Sequence, residues 1–317
     1  MFNISYSKLS KLADSPRACY EYLTIDIKPT KEMLFGSLVD CILTTPEKIS
    51  EVFHISDVPL PSKGIANIID TLAQQNNDIA SLDSIEDLDI FSIARMQDYY
   101  NNRGRDTIVA EVRAKGGDYF NDIINGLGKY IVSADDLLSA NKVVEVLRTH
   151  PMSSVFLNSG VILYQHKLKF EDKIDDNTVT YNGIPDIIRI TENQLQIIDL
   201  KTVNYNATDF ARSLYKYKYY LQPPMYIDLV NKGFSFDKKL EVVFIFLVIG
   251  VQELLPIPYF VPEKSIEAGR SGWNQIKGSR QLSREFIWHS ENNLWDYPYE
   301  IYRDRCATIL IGNKDVE

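Results

Sequence analysis

Two aspartates and a lysine in the segment GIPDIIRITENQLQIIDLKT, residues 183–202, have types and spacing that suit metal-dependent chemistry. Asp186 follows a proline at the start of one predicted strand, and Asp199 ends the next. If the two strands form a hairpin, both carboxylates converge at one end of a sheet, where two hard oxygen donors favour Mg²⁺ or Mn²⁺. Lys201 projects from the same face as Asp199, so its cation can orient or help deprotonate an attacking water and offset negative charge in the transition state.

An Asp-Leu-Lys triplet alone is weak, because it also occurs where a strand runs into a solvated turn. Here the residues before it, Leu195, Ile197 and Ile198, are apolar, so Asp199 is a charge at the edge of a buried strand. Such a charge needs a partner or a metal ion. Together with Pro185-Asp186 thirteen residues earlier, the pattern favours a functional site over a turn.

The elements that must position these residues are strands and helices in mixed order. Strands are predicted over residues 161–170, 178–182, 186–191, 195–200 and 241–251. A helix is predicted over 207–230, two short helices over 4–23 with a division at Ser15-Pro16, and another helix over 30–43. This order predicts an α/β (α+β) fold, with a mixed central sheet flanked by helices.

Residues 58–150 are more polar and have helical periodicity. Helices are predicted there over residues 65–76, 85–101, 107–125 and 135–149. Because this block carries no apparent chemistry, we interpret it as a helical insertion or subdomain within a single domain that spans residues 1–317. Residues 263–317 are predicted to form a C-terminal tail of one or two helices with a frayed polar end.

Composition excludes some classes of protein. The formal net charge of −9 argues against a nonspecific nucleic-acid coat protein, but an enzyme that acts on DNA needs a basic surface only in its channel. The longest apolar run, residues 242–251, is too short to span a bilayer, and the N-terminus does not resemble a secretory signal. Three distant cysteines indicate neither a disulfide framework nor a zinc or iron–sulfur site. We therefore expect a cytoplasmic protein.

The chain resembles the PD-(D/E)XK nuclease superfamily, whose motif corresponds here to Pro185-Asp186 and Asp199-Leu200-Lys201. Within it, the chain particularly resembles the RecE (exodeoxyribonuclease VIII)-like exonucleases of phages and prophages, and more distantly lambda exonuclease and RecB-type nucleases. Four further segments carry this likeness: YSKLSKLADSPRACYEYL, FGSLVDCILTTPEKISEVFHI, GKYIVSADDLLSANKVVEVLRTHP and YKYYLQPPMYIDLV. The resemblance implies a restriction-endonuclease-like sheet with a helical insertion.

The resemblance also implies metal ligands. Asp186, Asp199 and the Leu200 carbonyl would hold Mg²⁺, with Mn²⁺ as a substitute, and Lys201 would align the water. Asp40 falls where RecE- and RecB-like members have a histidine and lambda-type members a glutamate, so it would be a third acidic ligand. The alternative is a solvent-facing helix aspartate, although its immediate neighbours are mostly apolar.

The chain departs from the family pattern in one strand. Many members have a glutamate in the strand before the Pro-Asp strand, where this chain has LYQHKL, residues 163–168. Either Gln165 or His166 stands in for that glutamate, or the position is vacant.

Most candidate DNA contacts lie downstream of the catalytic motif. Gln222 and Tyr226 match the Gln-x-x-x-Tyr arrangement with which RecB-like nucleases position DNA, whereas ordinary helix packing is the alternative for Tyr226. Between residues 210 and 222, tyrosines alternate with basic residues that can hold phosphates, namely Arg212, Lys216 and Lys218. The alternative is an amphipathic helix with the tyrosines in the core. Arg17 is a candidate contact for a terminal 5′-phosphate, because arginine favours bidentate phosphate geometry.

The resemblance implies a Mg²⁺-dependent deoxyribonuclease, specifically an exonuclease that degrades linear double-stranded DNA from 5′ to 3′ in phage-type recombination. The same site suits an endonuclease or a helicase-associated nuclease, and the same fold suits an inactive DNA- or protein-binding module. The expected partners are double-stranded DNA ends, a single-strand annealing protein and further copies of the chain in a ring, with no membrane partner.

Overall fold

The computed structural model describes residues 2–27, 29–99, 101–234 and 240–307. The chain divides into two compact units, one formed by Met1–Pro29 with Val143–Glu317 and the other by Thr30–Lys142. The first unit contains the Pro-Asp and Asp-x-Lys residues, and the second contains Asp40. That residues 58–150 form an insertion within one nuclease domain stays a prediction.

The chain begins with a short strand and two short helices, β1 (Phe2–Ile4), α1 (Tyr6–Asp14) and α2 (Pro16–Thr24). The predicted division at Ser15-Pro16 is confirmed. The Ser15 hydroxyl accepts the Ala18 N–H at 3.0 Å, and Pro16 occupies the first helical position, where no N–H is needed. This capping separates α1 from α2.

The Thr30–Lys142 unit is mainly helical, and the helices predicted for it are confirmed with shifted ends. Its elements are α3 (Lys31–Thr44), α4 (Ile49–Val52), β2 (Phe53–Ser56), α5 (Lys63–Gln75), α6 (Asp87–Met96), α7 (Arg105–Asn125), β3 (Tyr130–Ser133) and the first part of α8 (Ala134–Thr149). Strands β2 and β3 pair in parallel. The sequence did not predict β3, because four residues between two helical patterns carry too short an alternation.

The other unit holds two larger sheets and their helices. Its elements after α8 are α9 (Pro151–Leu157), β4 (Val161–Tyr164), β5 (Leu168–Ile174), β6 (Asn177–Gly183), β7 (Ile187–Ile190), β8 (Gln194–Val203), α10 (Ala211–Lys216), α11 (Gln222–Gly233), β9 (Glu241–Gly250), β10 (Pro256–Val261), α12 (Glu263–Ser271), β11 (Gly272–Trp273), β12 (Ile276–Lys277), α13 (Ser279–Asn292) and α14 (Tyr299–Asp304). The predicted α/β class, with mixed sheets and flanking helices, is confirmed.

A five-stranded sheet of order β10-β9-β8-β7-β4 forms the centre of this unit. Strand β8 pairs in parallel with β9, and the other pairings are antiparallel. A second sheet has the order β1-β6-β5, in which β1 is parallel to β6. On one face of the large sheet, Ile197, Phe244 and Phe246 pack in the same cluster as Ile227 and Val230 of α11. That burial fixes α11 over the face to which the odd-numbered residues of β8 point.

Two strand predictions need correction. The strand predicted over 161–170 is two strands in different sheets, because the backbone of Gln165 adopts a left-handed conformation with φ of 48°. Strand β8 continues to Val203, so Asp199 lies in its interior and does not end it. The reason is the parallel pairing with β9, which runs from Gln194 to Val203 and which local periodicity does not reveal.

The helix predicted over 207–230 is also wrong, since it is interrupted. Helix α10 ends at Lys216, Lys218 has a left-handed φ of 58°, and α11 begins at Gln222. Within this turn, the ring of Tyr219 packs 6.0 Å from that of Phe210 and 6.2 Å from that of Phe246. Tertiary aromatic packing therefore overrides the helical periodicity.

The C-terminal region is more structured than predicted. It contains an unpredicted edge strand, β10, whose two prolines are compatible with an edge position. Three helices, α12 to α14, follow where one or two were predicted. Residues 308–317 of the predicted frayed end lie outside the described residues. Over the described ranges, no helix has the length and apolar character to cross a membrane.

Candidate active site

The hairpin of β7 and β8 places the two aspartates opposite each other. Ile187 pairs with Ile198 in this antiparallel hairpin, so the next pair outward is Asp186 with Asp199. Both side chains lie on the α11 side of the sheet, and Lys201 follows on the same side two residues later. The side chains of Asp186, Asp199 and Lys201 therefore lie together on one side of the sheet, as the sequence predicts.

Asp199 is held from two directions. Its side chain is buried, with 4% of the residue exposed. Its Oδ1 accepts a hydrogen bond from the Gln222 Nε2 at 2.9 Å, and its Oδ2 forms an ion pair with Lys201. The carboxylate thus has a fixed orientation, set by the first residue of α11 and by its own strand.

Asp186 is held by the backbone of the neighbouring strands. Its Oδ2 accepts the Leu200 N–H at 2.8 Å, and its own carbonyl accepts the Gln165 N–H at 3.0 Å. The register of β4 with β7 places Gln165 directly across from Asp186, because Tyr164 pairs with Ile187. Of the two candidates for the missing family glutamate, Gln165 therefore lies beside the aspartate, whereas the His166 ring packs 5.2 Å from that of Phe234.

The electrostatics of the buried pair are dominated by burial and mutual attraction. Burial raises the pKa of Asp199, and the opposing effects of Lys201 and Gln222 do not cancel that rise. Burial alone would lower the pKa of Lys201, but Asp199 and Asp186 raise it by more, so the ammonium form is favoured. Lys201 is therefore a cation at neutral pH, suited to stabilising negative charge rather than to accepting a proton.

The donors fit a hard divalent cation. A carboxylate has about four lone-pair positions, and the contacts of Asp199 described above use only some of them. Asp186, Asp199 and a single lysine leave one net negative charge when all three are ionised. Magnesium sites in proteins often use one or two carboxylates and keep several waters. Throughout the described part of the chain, no group of three or more His, Cys, Asp or Glu side chains is arranged to hold a metal ion.

Tyr226 lies on α11 one turn after Gln222, as the predicted helical spacing requires. Its ring stacks on Phe244 with centroids 6.2 Å apart and an interplanar angle of 8°. Burial, then Asp199 and Asp186, raises the pKa of its hydroxyl, so this group stays protonated. Gly183 allows this approach, because a Cβ there would stand 2.8 Å from the Tyr226 ring. Both residues of the Gln-x-x-x-Tyr arrangement therefore lie at the aspartate pair.

The predicted basic DNA contacts have varied surroundings. Arg212 and Lys216 are exposed on α10, and the Lys216 ammonium lies 4.9 Å from the centroid of the Tyr217 ring. Lys218 forms an ion pair with Asp14 at 3.0 Å, and Arg17 forms one with Glu21 at 2.9 Å. Their contact with DNA stays a prediction.

Asp40 and Leu200 complete the predicted metal ligands. Asp40 lies on α3 in the Thr30–Lys142 unit, where its carbonyl accepts the Thr44 hydroxyl at 2.8 Å. Leu200 lies between Asp199 and Lys201 in β8. Metal ligation by Asp40 and by the Leu200 carbonyl stays a prediction.

Two further tyrosines lie at the site: Tyr219, one of the tyrosines that alternate with basic residues between 210 and 222, and Tyr6, which was not singled out from the sequence. The Lys201 ammonium lies 4.7 Å from the centroid of the Tyr219 ring. The hydroxyl of the half-buried Tyr6 donates to the Tyr217 carbonyl at 2.9 Å. Burial raises the pKa of this hydroxyl, and the opposing effect of Lys201 does not cancel that rise. The signal that could have pointed to Tyr6 is the four-residue spacing of Tyr6, Ser10 and Asp14 along one face of α1.

Replacing Gln222 with leucine is expected to lower the free energy of unfolding by about 1–3 kcal/mol, because the buried Asp199 carboxylate loses a charged hydrogen bond. Chemical denaturation of the metal-free protein measures this. The control is Gln252→Leu, at an exposed glutamine in the turn after β9. Its effect should stay within about 0.5 kcal/mol. Equal losses in the two variants would show that the Gln222 bond is not special.

Comparison with known proteins finds a similarity to one family over part of the chain. Residues 110–264 match the family model of the PD-(D/E)XK nuclease superfamily, a span that includes both aspartates and Lys201. The crystal structure of SSO0001 shares 14% sequence identity with a TM-score of 0.28, covering 88% of this chain and 98% of that chain, a similarity too low to define the fold. A comparison with curated proteins finds no match.

Proposed function

We propose that the chain, whose residues 110–264 match the family model of the PD-(D/E)XK nuclease superfamily, is a Mg²⁺-dependent exonuclease acting on linear double-stranded DNA. We further propose that it degrades DNA from 5′ to 3′ and serves phage-type recombination, as the RecE-like exonucleases do. The observation that carries the proposal is the placement of Asp186 opposite Asp199, with Lys201 on the same side of the sheet.

In this proposal Asp186 and Asp199 hold the metal ion, together with the Leu200 carbonyl. A divalent cation bound there would supply Lewis-acid activation of water and charge neutralisation at the phosphate. Gln222 orients the Asp199 carboxylate, and the Leu200 N–H orients that of Asp186. The pairing of these carboxylates with fixed donors limits their motion, which is what preorganised catalysis requires.

Lys201 supplies positive charge at the reacting phosphodiester. Because its ammonium form is favoured, it can donate hydrogen bonds to the attacking water or to a nonbridging phosphate oxygen without first gaining a proton. The charge that develops on phosphate oxygens in the transition state is then met by a cation already in place. Mg²⁺ dependence, with Mn²⁺ as a substitute, follows from the two hard carboxylate donors.

DNA is proposed to approach along the exposed residues Arg212 and Lys216, with Arg17 as a candidate contact for the 5′-terminal phosphate. Arginine and lysine at such positions bind phosphates without reading sequence. Gln222 and Tyr226 lie beside Asp186 and Asp199. They would therefore position DNA at the aspartate pair itself, and not at a distance from it.

A comparison of linear with covalently closed circular duplex DNA tests the exonuclease proposal. In Mg²⁺ the protein is expected to digest the linear duplex and to leave the closed circle intact, because an exonuclease needs an end. Early release of label from the 5′ end rather than the 3′ end is expected on singly labelled duplexes. Cleavage of the closed circle at the linear rate would instead identify an endonuclease.

A further inference from the structure

The Tyr219 ring makes a cation–π contact with the Lys201 ammonium. The Nζ atom lies 4.7 Å from the ring centroid. The Tyr219 ring also packs against the rings of Phe210 and Phe246. A cation over an aromatic face is attracted by the ring, more strongly where water is excluded. In contrast to a second carboxylate, a ring holds the ammonium without neutralising its charge, so that the charge stays available for a substrate phosphate.

The Tyr219 ring is presented by an unusual turn. Helix α10 ends just before it, and Lys218 adopts a left-handed backbone conformation with φ of 58°. For a residue with a side chain, this conformation is unfavourable. The surrounding structure must therefore stabilise the turn, and a straight continuation of α10 would place Tyr219 differently.

Three side chains of α1 supply that stabilisation. Tyr6, Ser10 and Asp14 are spaced four residues apart and so share one helix face. The hydroxyls of Tyr6 and Ser10 donate to the Tyr217 carbonyl at 2.9 and 3.4 Å. The Asp14 carboxylate pairs with the Lys218 ammonium at 3.0 Å. Helix α1 thus bonds to both Tyr217 and Lys218, the two residues of the turn.

We propose that Tyr219 is a positioning residue for Lys201. In this proposal the side chains of Tyr6, Ser10 and Asp14 form an α1 clamp, which holds the Tyr217–Lys218 turn. That turn places the Tyr219 ring against the Lys201 ammonium. The consequence for catalysis rests on the proposed function of Lys201. The contact between ring and ammonium does not rest on it, and the two are tested separately.

The contact is tested by NMR of protein labelled with ¹³C in the lysine ε-methylene groups, with the Lys201 signal assigned by Lys201→Arg. Ring currents should shift this signal upfield in the wild-type protein and in Tyr219→Phe, and the shift should vanish in Tyr219→Leu. Asp14→Asn should reduce it, because the clamp is weakened. A wild-type signal without ring shift would overturn the contact, and an unaltered shift in Asp14→Asn would overturn the clamp.

The consequence is tested by steady-state cleavage of linear duplex DNA. The kcat of Tyr219→Leu is expected to fall about five- to thirtyfold with KM unchanged, as loss of a desolvated cation–π contact predicts. Tyr219→Phe should retain the wild-type kcat, because among the described residues the Tyr219 hydroxyl has no hydrogen bond. Replacement by 3,4,5-trifluorophenylalanine, which keeps the shape but weakens the ring quadrupole, should lower kcat.

Phe170→Leu is the matched control, since Phe170 lies under the Lys232 ammonium at 4.5 Å outside the site, and its kcat should not change. Equal kcat for the Tyr219→Leu and Tyr219→Phe proteins, in an active enzyme, would overturn the positioning role. If the wild-type protein cleaves no DNA with any divalent metal, the proposed function fails, and the NMR measurement still decides whether the ring holds the ammonium.

Discussion

The Asp199→Asn protein is expected to lose both metal binding and DNA cleavage, with kcat reduced by at least about a thousandfold, since metal-ion catalysis supplies several kcal/mol of the barrier. An amide cannot replace a carboxylate that, with Asp186, provides the negative charge for a divalent cation. Asparagine nevertheless keeps an oxygen that can accept the hydrogen bond from Gln222. The change therefore removes charge while leaving the packing of β8 against α11 in place.

Calorimetric titration with Mn²⁺ and single-turnover cleavage of linear duplex DNA measure the two losses. Asp209→Asn, an exposed aspartate shortly after β8, is the control and should bind metal and cleave DNA as the wild type does. Wild-type metal affinity in the Asp199→Asn protein would remove Asp199 from the metal site. Retained metal binding with lost cleavage would assign Asp199 to a different catalytic role.

The Lys201→Ala protein is expected to bind metal but to cleave DNA about 10²–10³-fold more slowly in kcat, the usual effect of removing one preorganised donor from a charged transition state. The reason is the location of its ammonium beside Asp199 and Asp186, where it remains charged at neutral pH. Lys201→Arg should restore little activity, because a planar guanidinium does not occupy the compact position of an ammonium.

Lys232→Ala provides a matched control for Lys201→Ala. Lys232 also pairs with an aspartate, Asp172, and lies over an aromatic ring, that of Phe170, but its side chain is half exposed and lies outside the site. Its removal should leave kcat unchanged. Because Lys201→Ala leaves the buried Asp199 without its cation, thermal unfolding must be compared as well. A folded Lys201→Ala protein that cleaves at the wild-type rate would contradict the proposed role.

The centre of the site could be predicted because its information is local. Asp186, Asp199 and Lys201 lie within sixteen residues, and the apolar strands between them determine a hairpin register that brings the aspartates together. A period-two pattern is enough to place Lys201 on the same face as Asp199. The Ser15-Pro16 boundary was predictable for the same reason, since capping depends on neighbouring residues.

The surroundings of the site could not be predicted, because they depend on distant parts of the chain. The hydrogen bond between Tyr6 and Tyr217 joins residues 211 positions apart. The position of Asp199 in the interior of β8 follows from the pairing of β8 with β9. The helix break after Lys216 follows from packing of the Tyr219 ring against Phe246 of β9 and from contacts with α1. Local periodicity favoured a continuous helix there, and tertiary contacts determined otherwise.

A time course on linear duplex DNA, labelled at the 5′ or the 3′ end and run with Mg²⁺ or with a chelator, tests the central claim most directly. The wild-type protein is expected to release label only when Mg²⁺ is present, and the Asp186→Ala protein is expected to release none. Digestion by Asp186→Ala at the wild-type rate, or by the wild-type protein in chelator, would contradict a metal-dependent nuclease site at Asp186, Asp199 and Lys201.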